Sequence, residues 1–320
     1  MTQNTVLAEY MEAADMKARL DEACKKVLAN KMILAWILKG SVEEFRDFDV
    51  NDIAEHYIEG NPEIAGTAVH QDTGIPGAHE CIRGEDTVDK TITEGTVLFD
   101  IRFRAVVPSS GEQISLIINV EAQNDFYPGY PLVKRGIYYC CRLVSGQHGT
   151  EFTNTHYEKI KKVYSIWICM NPPRHRQNSI NKYRIEESNV AGTVKEPKEN
   201  YDLMTAVIIC LDRSQAGIKE DAMGLLSILF SAELGAEQKK KLLEKDFGIP
   251  MTTQLEQEVT QMCNYSDGVE QRGIEKGREE GTFLTLCALV RDGLLKLEDA
   301  AGHLNMREEV LKEKMHKAGY

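Results

Sequence analysis

Two carboxylates set inside apolar runs are the residues of this chain whose placement most calls for chemistry. Asp100 lies within TVLFDIRFRAVV (96–107) and Glu121 within ISLIINVEAQ (114–123). Both runs are β-branched and apolar, and the PSSGEQ between them supplies turn residues, so the segment reads as a β-hairpin. Burying an unpaired carboxylate costs several kcal/mol, and each of these therefore needs a partner. Period-two alternation puts Leu98, Asp100 and Arg102 on one face of the first strand and Asn119, Glu121 and Gln123 on one face of the second. A four-residue loop sets Asp100 opposite Asn119 and diagonal to Glu121; a six-residue loop sets it directly across from Glu121; a five-residue loop separates the two. With an even loop the carboxylates converge as a bound divalent cation requires. Mg²⁺ takes a few carboxylates and retains water, and such a water is a nucleophile for phosphoester hydrolysis. Gln123 points the same way and would orient that water or a phosphate oxygen. The competing expectation pairs Asp100 with Arg102 or Arg104 and leaves Glu121 at a strand end.

Elements on either side must position the hairpin. Before it, Met16, Leu20, Ala23 and Val27, then Ile33, Leu34, Ile37, Leu38, Val42 and Phe45, recur at helical spacing, and Asp49 caps a further short helix through Tyr57. Residues 60–95, rich in Gly, Asp, Thr and Pro, read as loops with at most short strands. After the hairpin, 130–144 has helical spacing, 161–171 and 202–212 read as buried strands, and the order implies a mixed α/β core. Beyond residue 215 the pattern is helical. Gly273, Gly277 and Gly281 fall on one stripe that would admit a second helix, or else mark a linker, and 288–315 has a helix-turn-helix rhythm better suited to packing or dimerisation than to reading DNA.

The chain has 320 residues and a formal net charge of -12, which on its own argues against nucleic acid. The distribution argues otherwise. Residues 134–184 hold ten Lys/Arg against two Glu, a local balance of +8 that leaves −20 elsewhere. Such segregation gives either a phosphate-tracking surface or a solvated face neutralised by acids from other elements. The candidate contacts are Lys134, Arg135, Arg142, Lys161, Lys162, Arg174 and Arg176. No apolar run approaches the roughly 20 residues of a membrane span, and the N-terminus has no apolar core of a secretory signal, so a cytoplasmic protein is expected. The eight cysteines, with no CxxC pair, read as buried reduced thiols.

A helix bearing a glutamate, a hairpin with Asp followed by E-x-Q, a basic tyrosine-bearing helix and another buried strand resemble the PD-(D/E)XK nuclease core. More closely, ILKGSVEEF, NVEAQNDFYPGYPLVKRGIYYCCRLVSGQ and KKVYSIWICMN resemble the PD-(D/E)XK nuclease family transposases, relatives of the recombination-promoting nucleases, over residues 20–270. The resemblance implies a restriction-endonuclease-like α/β core with a mixed central sheet and a metal-dependent DNA endonuclease using Mg²⁺ or Mn²⁺. It makes Asp100 and Glu121 the metal ligands, with the Ala122 carbonyl as a further donor, and gives Glu44, the preferred one of the Glu43–Glu44 pair, an assisting role. It also sets Arg135 near the scissile phosphate. Gln123 stands where the wider superfamily has lysine, and glutamine cannot take a proton. The alternative is a catalytically weak or inactive relative that serves as a DNA-binding or assembly module. The expected organisation is 1–65, N-terminal helices; 66–215, nuclease core; 216–265, helical extension; and 266–320, the glycine-spaced helix and helix-turn-helix-like tail, through which a homodimer would form.

Overall fold

The computed structural model describes residues 3–64, 88–91, 95–98, 100–108, 113–212 and 219–320. Cys81, Phe99, most of the 60–95 stretch and the hairpin turn at 109–112 lie outside them. The chain divides into two compact units, one of Ala18–Cys263 and one of Met1–Lys17 with Asn264–Tyr320.

The first unit is α/β. Helix α1 (Gln3–Leu28) ends in it, and α2 (Lys31–Ser41) follows, capped by Asn30, whose Oδ1 accepts the Met32 and Ile33 N–H groups. A turn of helix α3 (Val50–Asp52) continues as a π-helical turn through Tyr57. The strands are β1 (Ile58–Ile64), β2 (Val88–Thr91), β3 (Gly95–Leu98), β4 (Ile101–Pro108), β5 (Gln113–Asp125), β6 (Val163–Asn171), β7 (Ser179–Arg184) and β8 (Met204–Cys210), with α4 (Leu132–Ser145) between β5 and β6. Six of them form one mixed sheet in the order β1-β4-β5-β6-β8-β7, and β2 pairs with β3 separately. β5, β6 and β8 are parallel, while β4 and β7 run against their neighbours. Parallel strands covered on both faces read as unbroken apolar runs, which is why VYSIWIC and TAVIIC carry almost no polar residue.

Two expectations change here. The run 96–107 is two strands: β3 leaves the main sheet for β2, and Asp100 stands at the head of β4. The polar segment 179–184 is an edge strand, β7, held by β8 alone, so it needs no apolar face and gives no period-two signal.

Helix α4 lies on one face of the sheet. Leu132, Tyr139, Cys140 and Leu143 pack onto Ile117, Val163, Trp167, Cys169, Ala206 and Ile208. Gly136 makes that approach possible, because a Cβ there would stand 3.2 Å from the indole nitrogen of Trp167 and 3.4 Å from Ala206 Cβ. Elsewhere in the unit, α2 buries Ile33, Leu34, Ile37 and Leu38 and packs on α5 (Ala222–Leu229), which is followed by α6 (Ala236–Phe247).

Helix α7 (Thr253–Arg291) begins in the first unit and ends in the second, where α8 (Leu297–His303) and α9 (Glu308–Lys317) follow it. Cys287, Ala300, Ala301, Leu311 and Met315 form their shared core, so the two helices of the tail pack on one another and on the end of α7. Gly273, Gly277 and Gly281 are helical, yet nothing among the described residues comes within 4 Å of where their Cβ atoms would be. No helix among the described residues is long and apolar enough to cross a membrane. Cys24, Cys140, Cys169, Cys210, Cys263 and Cys287 are buried free thiols, and Cys141 is exposed.

Candidate active site

The β4–β5 ladder pairs Ile101 with Val120 and runs out to Pro108 with Gln113. This register puts Val107 opposite Ile114, with the six residues 108–113 between them, and so sets Asp100 directly across from Glu121; Pro108 and Gln113 then extend the ladder by one more pair. The two residues are clamped reciprocally. The Asp100 N–H donates to Glu121 Oε1 at 3.0 Å, and the Ala122 N–H donates to Asp100 Oδ2 at 3.1 Å. Backbone donors thus fix both carboxylates.

Glu121 is 4 % exposed. Its Oε1 also accepts from Asn119 Nδ2 at 2.5 Å; Ser165 Oγ donates to Asn119 Oδ1 at 2.6 Å, and Trp167 Nε1 donates to Ser165 Oγ at 2.9 Å. These residues sit side by side because β5 and β6 are parallel and in register, with Asn119 against Ser165 and Glu121 against Trp167. The buried polar chain is satisfied link by link, as a low-dielectric interior requires.

Asp100 does not pair with Arg104, which is bound to Glu151 instead. Its partner is Lys25 of α1, whose Nζ lies 2.9 Å from Asp100 Oδ1 and 2.6 Å from Asp21 Oδ2. Lys25 is the residue the sequence reading missed. Its signal was an Asp21–Lys25 pair at i,i+4 beside the apolar positions Cys24 and Leu28, on a helix otherwise rich in solvated charge.

The electrostatics follow from burial. Desolvation pushes the Glu121 carboxyl well above the ordinary range, and the Asp100 charge adds to it; the hydrogen bonds and the Arg135 charge offset only part. Desolvation raises Asp100 as well, against the Lys25 ammonium. Burial works to lower Lys25, but Asp100 and Asp21 outweigh it and keep the ammonium protonated above its usual range. Two buried acids and one buried base therefore resist holding two negative charges, a balance that an added cation would tip.

Arg135 forms the next layer. Its Nη1 donates to Tyr130 Oη at 2.7 Å and its Nη2 to Tyr139 Oη at 2.9 Å, and the guanidinium lies 5.1 Å from the Trp167 ring centroid. Burial and the Glu121 charge push the Tyr139 phenol up to about 12, so it remains a neutral acceptor for Arg135. Gln123, half-buried, is on the same strand face as Glu121.

Glu44 is not brought to this pair. Its Oε1 accepts from Lys162 Nζ at 2.9 Å and its Oε2 from Tyr164 Oη at 2.5 Å. Tyr164 alternates with Val163 and Ser165 along β6, so Glu44 meets the face of the sheet opposite to that of Glu121. Among the described residues no group of three His, Cys, Asp or Glu is placed to hold a metal. What the site offers is two facing carboxylates, oxygen ligands that suit a hard ion such as Mg²⁺ with retained water, provided Asp100 is shared with Lys25.

The basic segment is partly consumed by the fold. Lys162 is bound between Glu44 and Asp202, Lys161 pairs with Glu151 at 2.5 Å, and Arg142 is buried with Nη1 on Tyr138 Oη at 3.3 Å. These three are structural cations. Lys134, Arg174 and Arg176 are exposed and pair with no carboxylate among the described residues. Arg176 stacks over Phe126 at 5.4 Å, which joins the loop after β6 to the loop after β5 at the carboxyl ends of the parallel strands. Comparison of the chain with protein-family models, curated proteins and solved structures finds no match.

Proposed function

We propose that the chain is a metal-dependent DNA phosphodiesterase, an endonuclease of the PD-(D/E)XK transposase or recombination-promoting type. The observation that carries the reading is the buried, backbone-clamped facing of Asp100 and Glu121 near the carboxyl ends of the central strands, where open α/β sheets bind ligands. The element order around them supports it: an antiparallel strand, the hairpin bearing both acids, a basic and tyrosine-bearing helix, then a buried parallel strand.

Asp100 and Glu121, with the Ala122 carbonyl, would hold Mg²⁺ or Mn²⁺. When bound, the ion supplies Lewis acidity to a phosphoryl oxygen and a water of lowered pKa. The remaining roles belong to the chain. Gln123 orients the attacking water by hydrogen bonding, since it can neither accept nor carry a proton. Arg135, held by two tyrosines, presents a fixed guanidinium to the scissile phosphate. Lys134, Arg174 and Arg176 bind flanking backbone phosphates. Glu44 holds Lys162 and Tyr164 in place on the other face of the sheet.

A second reading, a nuclease-fold DNA-binding or assembly module, is favoured by Lys25, which already neutralises Asp100, and by Gln123. Nicking of supercoiled plasmid in Mg²⁺ or Mn²⁺, with EDTA, Asp100→Ala and Glu121→Ala as controls, separates the two. Cleavage lost in all three controls supports hydrolysis. Binding without metal-dependent cleavage sinks it.

A further inference from the structure

The segments that follow β5 and β6 beside the site are aromatic as well as basic. Tyr127 and Tyr130, in the loop between β5 and α4, are 63 % and 43 % exposed, and Tyr138 on α4 is 45 % exposed. These three belong to one stretch of chain that begins two residues after the end of β5. Phe126 packs edge-on to Tyr127 at 5.0 Å and carries the Arg176 guanidinium on its other contact; Tyr130 is fixed by Arg135. Rings and exposed cations thus share the same segments: Arg176 lies on Phe126, Arg174 stands two residues before Arg176, and Lys134 falls between Tyr130 and Tyr138 in the chain. The fold uses the other aromatics of this region differently, burying Tyr139 and Trp167 under Arg135.

Charge and ring together select the occupant. Cations alone suit any nucleic acid, because every form presents phosphates. Exposed rings add affinity only where a base shows its π-face, and in a duplex those faces are stacked on one another. We infer that the rim formed by Tyr127, Tyr130 and Tyr138 with Arg174 and Arg176 binds unpaired nucleotides, so that the substrate strand enters the Asp100–Glu121 site as single-stranded DNA. The choice of DNA rests on the function proposed above; the preference for unpaired bases rests on the rim alone.

The test is fluorescence anisotropy of the full chain with labelled (dT)15, with a blunt duplex of equal length and with (rU)15, all in EDTA so that no strand is cut. Tighter binding of (dT)15 than of duplex is expected. Tyr127→Ala and Tyr130→Ala should each weaken (dT)15 binding by about tenfold, the scale of one lost base stack, and change duplex binding far less. Tyr127→Phe and Tyr130→Phe, which keep the ring, should retain (dT)15 affinity. Equal or tighter duplex binding, or alanine variants that stay folded by circular dichroism and bind (dT)15 unchanged, would overturn the inference. Preference for (rU)15 over (dT)15 would overturn the assignment to DNA, and self-association abolished by the same alanines would assign the rim to a second copy instead. The outcome is independent of cleavage because binding is read in EDTA: an inactive protein that prefers single strands refutes the hydrolase and not the rim, and an active one that prefers duplex refutes the rim.

Discussion

Replacing Lys25 by methionine keeps most of its aliphatic stem and removes the charge facing Asp100. The side chains of Lys25 and Asp100 are 11 % and 17 % exposed, so the pair is close to buried. Removing one member of a buried pair costs roughly 3–5 kcal/mol, and the remaining exposure sets the expectation at the lower end, about 3 kcal/mol. For a cooperative unit of this size each kcal/mol shifts the melting temperature by about 2–4 °C, which gives a fall of about 6–12 °C at neutral pH. Lys25→Met combined with Asp100→Asn should recover most of that loss, since neither charge is then stranded. Asp100 takes up a proton more readily than an ordinary aspartate, so the penalty of Lys25→Met should shrink as pH is lowered toward the carboxyl range. Thermal unfolding of the four proteins across pH makes the measurement. Manganese titration supplies a second readout, because a chain without Lys25 leaves Asp100 to the ion and should bind it more tightly. A loss below about 1 kcal/mol, or a double variant no better than Lys25→Met, would refute the placing of Lys25 as the counter-ion of this site.

The raised carboxyl of Glu121 has its own signature. Its folded value lies above the ordinary 4.5, so the unfolded chain releases this proton first; the contribution of the group is complete below 4.5 and is lost as pH rises through the folded value. Urea unfolding of Glu121→Gln should show a flatter decline of stability with pH than the parent, and parallel slopes would contradict the burial argument. Gly40 stands where a Cβ would lie 2.5 Å from Ala222 Cβ, so Gly40→Ala should destabilise by about 1–3 kcal/mol despite its better helix propensity, and adding Ala222→Gly should restore the loss in a denaturation cycle. In DNA titrations at varied salt, alanine at Lys134, Arg174 or Arg176 should each reduce the salt slope by about 1, whereas Lys161→Ala and Lys162→Ala should leave it unchanged. Equal effects at all five would mean that the ion pairs to Glu151, Glu44 and Asp202 do not withhold those lysines from DNA.

Much of the core was legible from residue type alone. The apolar runs around Trp167 and Ile208 are strands because both faces are covered. The helix at 130–144 was readable too, but its apolar spacing through Leu132, Ile137, Tyr138 and Cys141 marked the wrong side: of these only Leu132 is buried, and the face on the sheet is that of Gly136, Tyr139, Cys140 and Leu143. Pairing register was not legible, since four- and six-residue turns both bring carboxylates to one face and PSSGEQ allows either. Glu44 shows a second limit. Helical spacing from Ile33 and Ile37 does not reach it, because α2 ends at Ser41, Val42 is extended and Glu43–Phe45 form a separate 3-10 turn; the face of the sheet that Glu44 meets belongs to Tyr164. The basic count over 134–184 had the same weakness: sequence distance conceals that Lys161 meets Glu151, Lys162 meets Glu44 and Asp202, and Arg142 is buried on Tyr138. Lys25 lay hidden because a lysine among lysines on a charged helix looks solvated until its carboxylate partner arrives from 75 positions away.

The hydrogen-bond chain from Glu121 through Asn119 and Ser165 ends on the indole of Trp167, beneath the Arg135 guanidinium. Only one other tryptophan exists in the chain, Trp36, whose indole is engaged far from this site by the Phe247 carbonyl. In a Trp36→Phe background the emission of Trp167 thus becomes a built-in optical gauge of the carboxylates: any proton or ion that changes the charge on Glu121 alters the field along three hydrogen bonds and is read as light.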